Sequence, residues 1–147
     1  ESLQQTYRAI DLIPHRKIIH VLGSCGGGRD TSRRPILGQM AATKADIIII
    51  TNEDPYDDDP QEIIDQVAAG ADPVARLTGK KIYKILDRRE ALTKAIALAQ
   101  PEDIVLATGK GSEQAICIAN GKKIPWDERE VIRQILTGLQ KPDSIDT

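Results

Sequence analysis

Four isoleucines in succession, Ile47–Ile50, set the strongest limit on how this chain can fold. Successive side chains of a β-strand point to opposite faces, so such a strand is apolar on both. It needs cover above and below, which a parallel sheet between helices supplies and a half-solvated antiparallel sheet does not. Strands are predicted at residues 17–22, 46–51, 81–86 and 103–107, where β-branched and apolar residues run together.

Segments of helical spacing alternate with these strands. Leu3, Tyr7, Ile10 and Leu12 mark one face of a first helix that Ser2 caps and Pro14 ends. A second covers residues 35–43, with Pro35 in its first turn, where a missing N–H costs nothing. A third carries Ile63, Ile64, Val67 and Ala68 and ends near Gly70, leaving residues 71–79 irregular. Asp87 caps a fourth, with Ala91, Leu92, Ala95, Ile96 and Leu98. Asp127 caps the last, with Val131, Ile132, Ile135 and Leu136. Asn120-Gly121, between residues 115–119 and 122–126, signals a hairpin. Strands alternating with helices give an α/β fold, a mostly parallel sheet with an antiparallel edge hairpin. One domain over residues 1–137 and a polar tail over residues 138–147 are expected.

Composition excludes several function classes. At a net charge of −2 over 147 residues there is no basic footprint for nucleic acid. Three Tyr, one Trp and no Phe leave little for base stacking. The apolar run at residues 47–50 is far too short to span a bilayer, so no membrane partner is expected. Cys25 and Cys117 lack metal-site or disulfide spacing and suit a reducing, cytoplasmic setting. The chain opens on Glu1 inside a helical segment, and is expected to be a piece of a longer protein.

In sheets of this type ligands bind beyond the carboxyl ends of the strands. Three turns lie there, at residues 24–34, 52–59 and 108–113, and should share one edge. The first is glycine-rich and feeds a helix, which presents backbone N–H groups to an anion; Arg29, Arg33 and Arg34 add charged forks. It lacks the spacing of a Walker loop and does not match the dinucleotide fingerprint. The competing reading is a tight turn that needs glycine for backbone reasons alone. In the second turn Glu53 or Asp54 offers a carboxylate to a cationic group such as a side-chain ammonium, against a merely solvated charge run that suits a helix N-terminus. No fixed set of oxygen ligands for a metal is evident. In the third turn Lys110 can meet phosphate or water, and Glu113 can close over the ligand of Arg29. His15 and His20 read as structural, and Cys25 as a small residue that fits its turn rather than a nucleophile.

Three segments in register carry a resemblance. Gly23-Ser24-Cys25-Gly26-Gly27-Gly28-Arg29-Asp30 with Arg34-Pro35, residues 51–60, and Gly109-Lys110-Gly111-Ser112-Glu113 resemble the carboxy-terminal domain of Mur ligases. The MurE type, which adds the third residue to the UDP-N-acetylmuramoyl peptide in peptidoglycan synthesis, is the nearest likeness. The resemblance implies a three-layer, Rossmann-like domain that binds the incoming amino acid. It implies that ATP, Mg2+ and the UDP-N-acetylmuramoyl dipeptide are held mainly by domains absent from this chain. No catalytic residue is expected here, no metal ligand, and no activity from this piece alone.

By the resemblance Arg29 binds a carboxylate of the amino acid, and Gly109 and Glu113 contact it. Glu53-Asp54-Pro55-Tyr56 stands where diaminopimelate-adding members carry Asp-Asn-Pro-Arg, and Ser112 replaces a His. Tyr56 cannot replace an arginine fork on a distal carboxylate. Lysine or ornithine is therefore expected over diaminopimelate, its ammonium held by Glu53 and Glu113. Arg33, Arg34 and Lys110 are additional candidates. The alternatives are another ligase of the superfamily, of the folylpolyglutamate or cyanophycin synthetase kind, and a non-catalytic module for an anionic metabolite.

Overall fold

Every residue of β1 (Ile18–Leu22) is buried, since it pairs on both edges and is covered on both faces. A computed structural model describes residues 2–28, 30–110 and 113–140. In it β1 lies between β2 (Ile47–Ile50) and β4 (Ile104–Ala107), and β3 (Lys81–Lys84) flanks β2, giving the order β3-β2-β1-β4. All three pairings are parallel, with Ile19 opposite Ile47 and Val105.

The isoleucine run divides between the two faces as alternation requires. Ile48 and Ile50 join a core with Leu3, Tyr7 and Ile10 of α1 (Ser2–Asp11), Ala41 and Ala42 of α2 (Arg33–Lys44), and Ile64 and Val67 of α3 (Pro60–Thr78). Ile49 joins the opposite core, with Leu92 and Ala95 of α4 (Arg88–Leu98) and Val131 of α5 (Glu128–Gln140). The result is the three-layer α/β sandwich anticipated above. The hairpin forms from β5 (Ala115–Cys117) and β6 (Lys123–Pro125), antiparallel, but as a two-stranded sheet of its own rather than a strand pair added to the parallel sheet.

Three expectations are corrected. Leu12 is 86% exposed, because α1 ends at Asp11 and the chain leaves the helical path. Residues 71–78 are helical, since α3 continues through Pro73 to Thr78. Proline removes one backbone bond there, and burial of Ala71 and Ala75 offsets the loss. Asp59 caps the start of α3 by accepting from the Gln61 N–H at 3.1 Å. Gly79, at φ 75°, ends it, with its N–H on the Ala75 carbonyl at 2.8 Å. Finally, Leu136 on α5 is 45% exposed and stands outside the buried stripe, while α5 itself runs to Gln140. Residues 141–147 lie outside the described residues, as does the side chain of Ser2.

Helices α2 and α3 touch backbone to backbone. A Cβ at Gly38 would stand 1.9 Å from the Val67 carbonyl oxygen, and one at Gly70 would stand 1.8 Å from that of Pro35. Neither neighbour is a flexible side chain that could swing aside. Gly38→Ala or Gly70→Ala should therefore destabilise the fold by about 1–3 kcal/mol or more, as overpacking does. Gly138→Ala, where nothing lies within 4 Å of the added carbon, serves as the control and should be neutral or mildly stabilising. Urea denaturation midpoints of the three variants decide the matter.

Candidate functional site

The three turns converge because the hairpin and one arginine hold them together. Asp54 and Asp57 of the second turn accept from hairpin backbone N–H groups, at Cys117 (2.9 Å) and Asn120 (2.8 Å). Tyr56 donates its N–H to the Cys117 carbonyl at 3.1 Å. The Gly26 N–H of the first turn donates to the Asp54 carbonyl at 2.8 Å. Most of the acidic loop is thus structural: Asp58 pairs with Arg34 at 3.3 Å, and Asp59 caps α3.

Arg88, at the start of α4, is 2% exposed and spends its guanidinium on three elements. It forks onto Glu128 of α5, with Nε to Oε1 at 3.0 Å and Nη2 to Oε2 at 2.8 Å. It also donates to the Asn52 carbonyl at 2.9 Å and the Thr108 carbonyl at 3.0 Å. Trp126 Nε1 donates to Glu128 Oε1 at 2.8 Å. Arg88 therefore fixes the starts of the second and third turns relative to each other.

Between these turns, α1 and α2 lies a cavity of about 580 Å³. Ser24 and Cys25 come from the first turn, Arg33 from α2, Glu53 from the second turn, and Thr108 and Gly109 from the third; Leu3 and Thr6 of α1 close one side. Glu53 is 8% exposed, and burial raises its carboxyl above the ordinary range, opposed by Cys25 Sγ, which donates to Oε2 at 3.3 Å, and by the charges of Arg88 and Lys110. Gly109 sits at φ 101°, and a Cβ on it would meet the Glu53 carboxyl carbon at 2.9 Å. Glycine here lets the third turn close onto Glu53.

The candidates separate clearly by position. Glu53, Gly109 and Arg33 line the cavity. Arg34 is buried and bonds to Gln66, the Cys25 carbonyl and Asp58, tying α2 to α3 and the first turn. Lys110 is buried too, 3.2 Å from Asp54 and 2.6 Å from the Ala115 carbonyl, so it bonds within the protein. Asp54, Pro55 and Tyr56 are not among the cavity's lining residues. Tyr56 is 38% exposed at φ 53°, with its ring against Gly27 and its hydroxyl beside the Cys117 side chain, which raises its pKa. Glu113 is exposed and does not line the cavity. Arg29, Gly111 and Ser112 lie outside the described residues.

Among the described residues, Cys25, Glu53 and Asp54 form the one group with donor atoms close enough for a metal, within 4.8 Å of one another. The Lys110 ammonium contacts both Asp54 oxygens, an arrangement that suits an ion pair rather than a divalent ion. A second cleft of about 610 Å³ lies between α4 and the hairpin, walled by Leu86, Ile124 and Trp126, and holds none of the candidates. No described helix is long and apolar enough to cross a membrane.

The family model for the Mur ligase, glutamate ligase domain, matches residues 1–111. The chain belongs to that family. Over 86% of its length it is 43% identical to the UDP-N-acetylmuramoyl-L-alanyl-D-glutamate–2,6-diaminopimelate ligase of Nitrosomonas europaea, covering 23% of that protein. It is 38% identical over 94% of its length to the UDP-N-acetylmuramyl-tripeptide synthetase of a Roseiflexus species, covering 27% of it. A solved structure of a UDP-N-acetylmuramoyl-L-alanyl-D-glutamate–2,6-diaminopimelate ligase superposes with a TM-score of 0.84 at 31% identity, covering 95% of this chain and 28% of that one. The chain thus spans about a quarter of the length of these MurE-type relatives.

Arg88, Glu128 and Thr108 escaped the sequence reading, as did the partners of His20. A buried arginine and a solvated one look alike in sequence, and the one available signal was the Asp87 cap that fixes where α4 begins. His20 is fully buried between Tyr7 and Thr108, at 2.6 and 2.9 Å.

Removing one partner of a buried pair leaves the other charge unmatched. Glu128→Ala should cost about 3–5 kcal/mol in chemical denaturation, and a loss near zero would show that Arg88 does not depend on it. Burial pushes His20 down to about 3, against about 6.5 unfolded. Between those values the unfolded chain binds a proton that the folded one does not. Stability should therefore fall as pH drops through that window, by up to about 1.4 kcal/mol per pH unit from this residue. Denaturation midpoints between about pH 6.5 and 4.5 should fall less steeply in His20→Gln than in the wild type; equal slopes would remove His20 from the account.

Proposed function

We propose that this chain is the amino-acid-binding, carboxy-terminal domain of an ATP-dependent ligase that adds the third residue to the UDP-N-acetylmuramoyl peptide in peptidoglycan synthesis, in the cytoplasm. The observation that carries the reading is the convergence of three strand-end turns on one cavity with a buried carboxylate, Glu53, in its wall. The domain unit is residues 1–137, with a polar tail beyond.

The chemistry is amide formation on an ATP-activated carboxylate, and this domain's share is to bind and orient the incoming amino acid. The residues here do not fit a triphosphate cradle. No lysine followed by Ser or Thr stands at P-loop spacing, and Lys110 is engaged by Asp54. ATP, Mg2+ and the UDP-N-acetylmuramoyl dipeptide are accordingly assigned to the rest of the ligase. Arg29, Glu53, Gly109 and Glu113 are the proposed contacts to the amino acid, with Arg33 beside them and Asp54-Pro55-Tyr56 supporting the turn.

Lysine or ornithine is the proposed amino acid. Glu53 offers a distal ammonium its counter-charge, and Tyr56, at the position where an arginine is expected for diaminopimelate, turns toward the hairpin. The relatives named for 2,6-diaminopimelate favour the other substrate. Calorimetric titration of the full-length protein separates the two. Lysine or ornithine should bind more tightly than diaminopimelate, and Glu53→Gln should weaken lysine by about tenfold, the loss of a charge-assisted bond. Because burial raises Glu53, lysine affinity should begin to fall at a pH above the ordinary glutamate range. Tighter binding of diaminopimelate overturns the selectivity, and no binding of any of the three overturns the site.

A further inference from the structure

Thr108 directly follows β4, with its backbone fixed at both ends. Its N–H donates to the Val21 carbonyl at 2.9 Å, and its carbonyl accepts from Arg88 at 3.0 Å. Its hydroxyl oxygen lies 2.9 Å from His20 Nε2, and His20 Nδ1 lies 2.6 Å from the Tyr7 hydroxyl. The direction of this chain follows from counting protons. Tyr7 is 2% exposed, and among the described residues Nδ1 is the hydrogen-bond partner of its hydroxyl. If Nδ1 carried the proton, the phenolic hydrogen would be left buried without an acceptor, which is costly. Tyr7 therefore donates to Nδ1. A neutral imidazole that accepts at one nitrogen donates at the other, so Nε2–H donates to Thr108 Oγ1. The hydroxyl hydrogen of Thr108 remains, and Thr108 lines the cavity.

We propose that the Tyr7–His20–Thr108 chain makes the Thr108 hydroxyl a directed hydrogen-bond donor to the carboxylate of the amino acid in the cavity, and that Thr108 is a further substrate-binding residue. The proposal rests on the reading of the cavity as the amino-acid site. The cavity then offers acidic acceptors, Glu53 and Asp30, and donors, Thr108 and Arg33. A zwitterion matches both at once. The relay keeps its direction only while His20 is neutral, and burial holds it so by pushing its pKa down to about 3. A doubly protonated ring would donate at both nitrogens and require Tyr7 to accept.

Steady-state kinetics on the full-length ligase, with lysine as probe, test the role of the hydroxyl. Thr108→Val, which keeps the shape and loses the hydroxyl, should raise KM for lysine by about tenfold and leave KM for ATP unchanged, whereas Thr108→Ser should stay within about twofold of wild type. Tyr7→Phe, which reaches the cavity only through His20, should raise KM for lysine in the same direction. An unchanged KM in Thr108→Val overturns the proposal, as does a loss in Thr108→Ser as large as in Thr108→Val. Nitrogen-15 spectra of the histidine-labelled, full-length protein judge the relay without any ligand. Protonation of His20 at Nε2 is the expected result, and protonation at Nδ1 overturns it even if lysine binds. A wild type that binds no amino acid by calorimetry overturns the site reading instead.

Discussion

The buried fork of Arg88 on Glu128 is the contact on which the arrangement of the turns depends. A guanidinium taken out of water must have its donors matched, and four bonds to three elements satisfy that demand. Two of the acceptors are the Asn52 and Thr108 carbonyls, the points where the chain leaves β2 and β4. Moving either turn would strand a buried donor. The energetic cost of burying one charged pair is thereby converted into a fixed spacing between Glu53 and Gly109. Arg88 touches nothing in the cavity and still sets its width.

Charge in the glycine-rich edge is divided between scaffold and site. Arg34, Lys110, Asp54, Asp57, Asp58 and Asp59 all find partners inside the protein, stitching the first and second turns to α2, α3 and the hairpin. What remains facing the cavity is a short set: Glu53, Asp30, Arg33 and the polar groups of Ser24, Cys25 and Thr108. A turn so rich in ionic residues looks in sequence like a surface that grips a highly charged ligand. In the folded chain most of that charge is already engaged within the protein, and little of it faces the cavity.

The layers of the fold were legible in the sequence because they depend on periodicity. Ile47–Ile50 demanded cover on both faces, and Ile48 and Ile49 find it in opposite cores. What was hidden depends on contacts between residues distant in the chain. Residues 71–79 read as irregular because local propensity cannot register the packing of Ala71 and Ala75 that carries α3 through Pro73. Residues around Asn120-Gly121 announced a hairpin, but not that it would stand apart and clamp the acidic loop instead of extending the sheet. Glu53 was legible as a carboxylate at a strand end; that it alone of its loop would line the cavity followed from the partners its neighbours found.

The same logic bears on selectivity. A cavity distinguishes amino acids that share one end by what it offers the other, and an unmatched charge at that end costs more than a missing contact. Diaminopimelate brings a second carboxylate where lysine brings none. The charged residues in the wall are Asp30, Arg33 and Glu53, and burial raises Glu53, which makes it reluctant to carry its own charge. A second carboxylate placed against Glu53 would raise that reluctance further, while the distal ammonium, which lysine and diaminopimelate share, would relieve it in both. On the proposed reading, the distinction between the two amino acids rests on whether Arg33, the cation in the wall, meets that second carboxylate. Tyr56, drawn aside onto Gly27 and Cys117, brings no charge to change that balance.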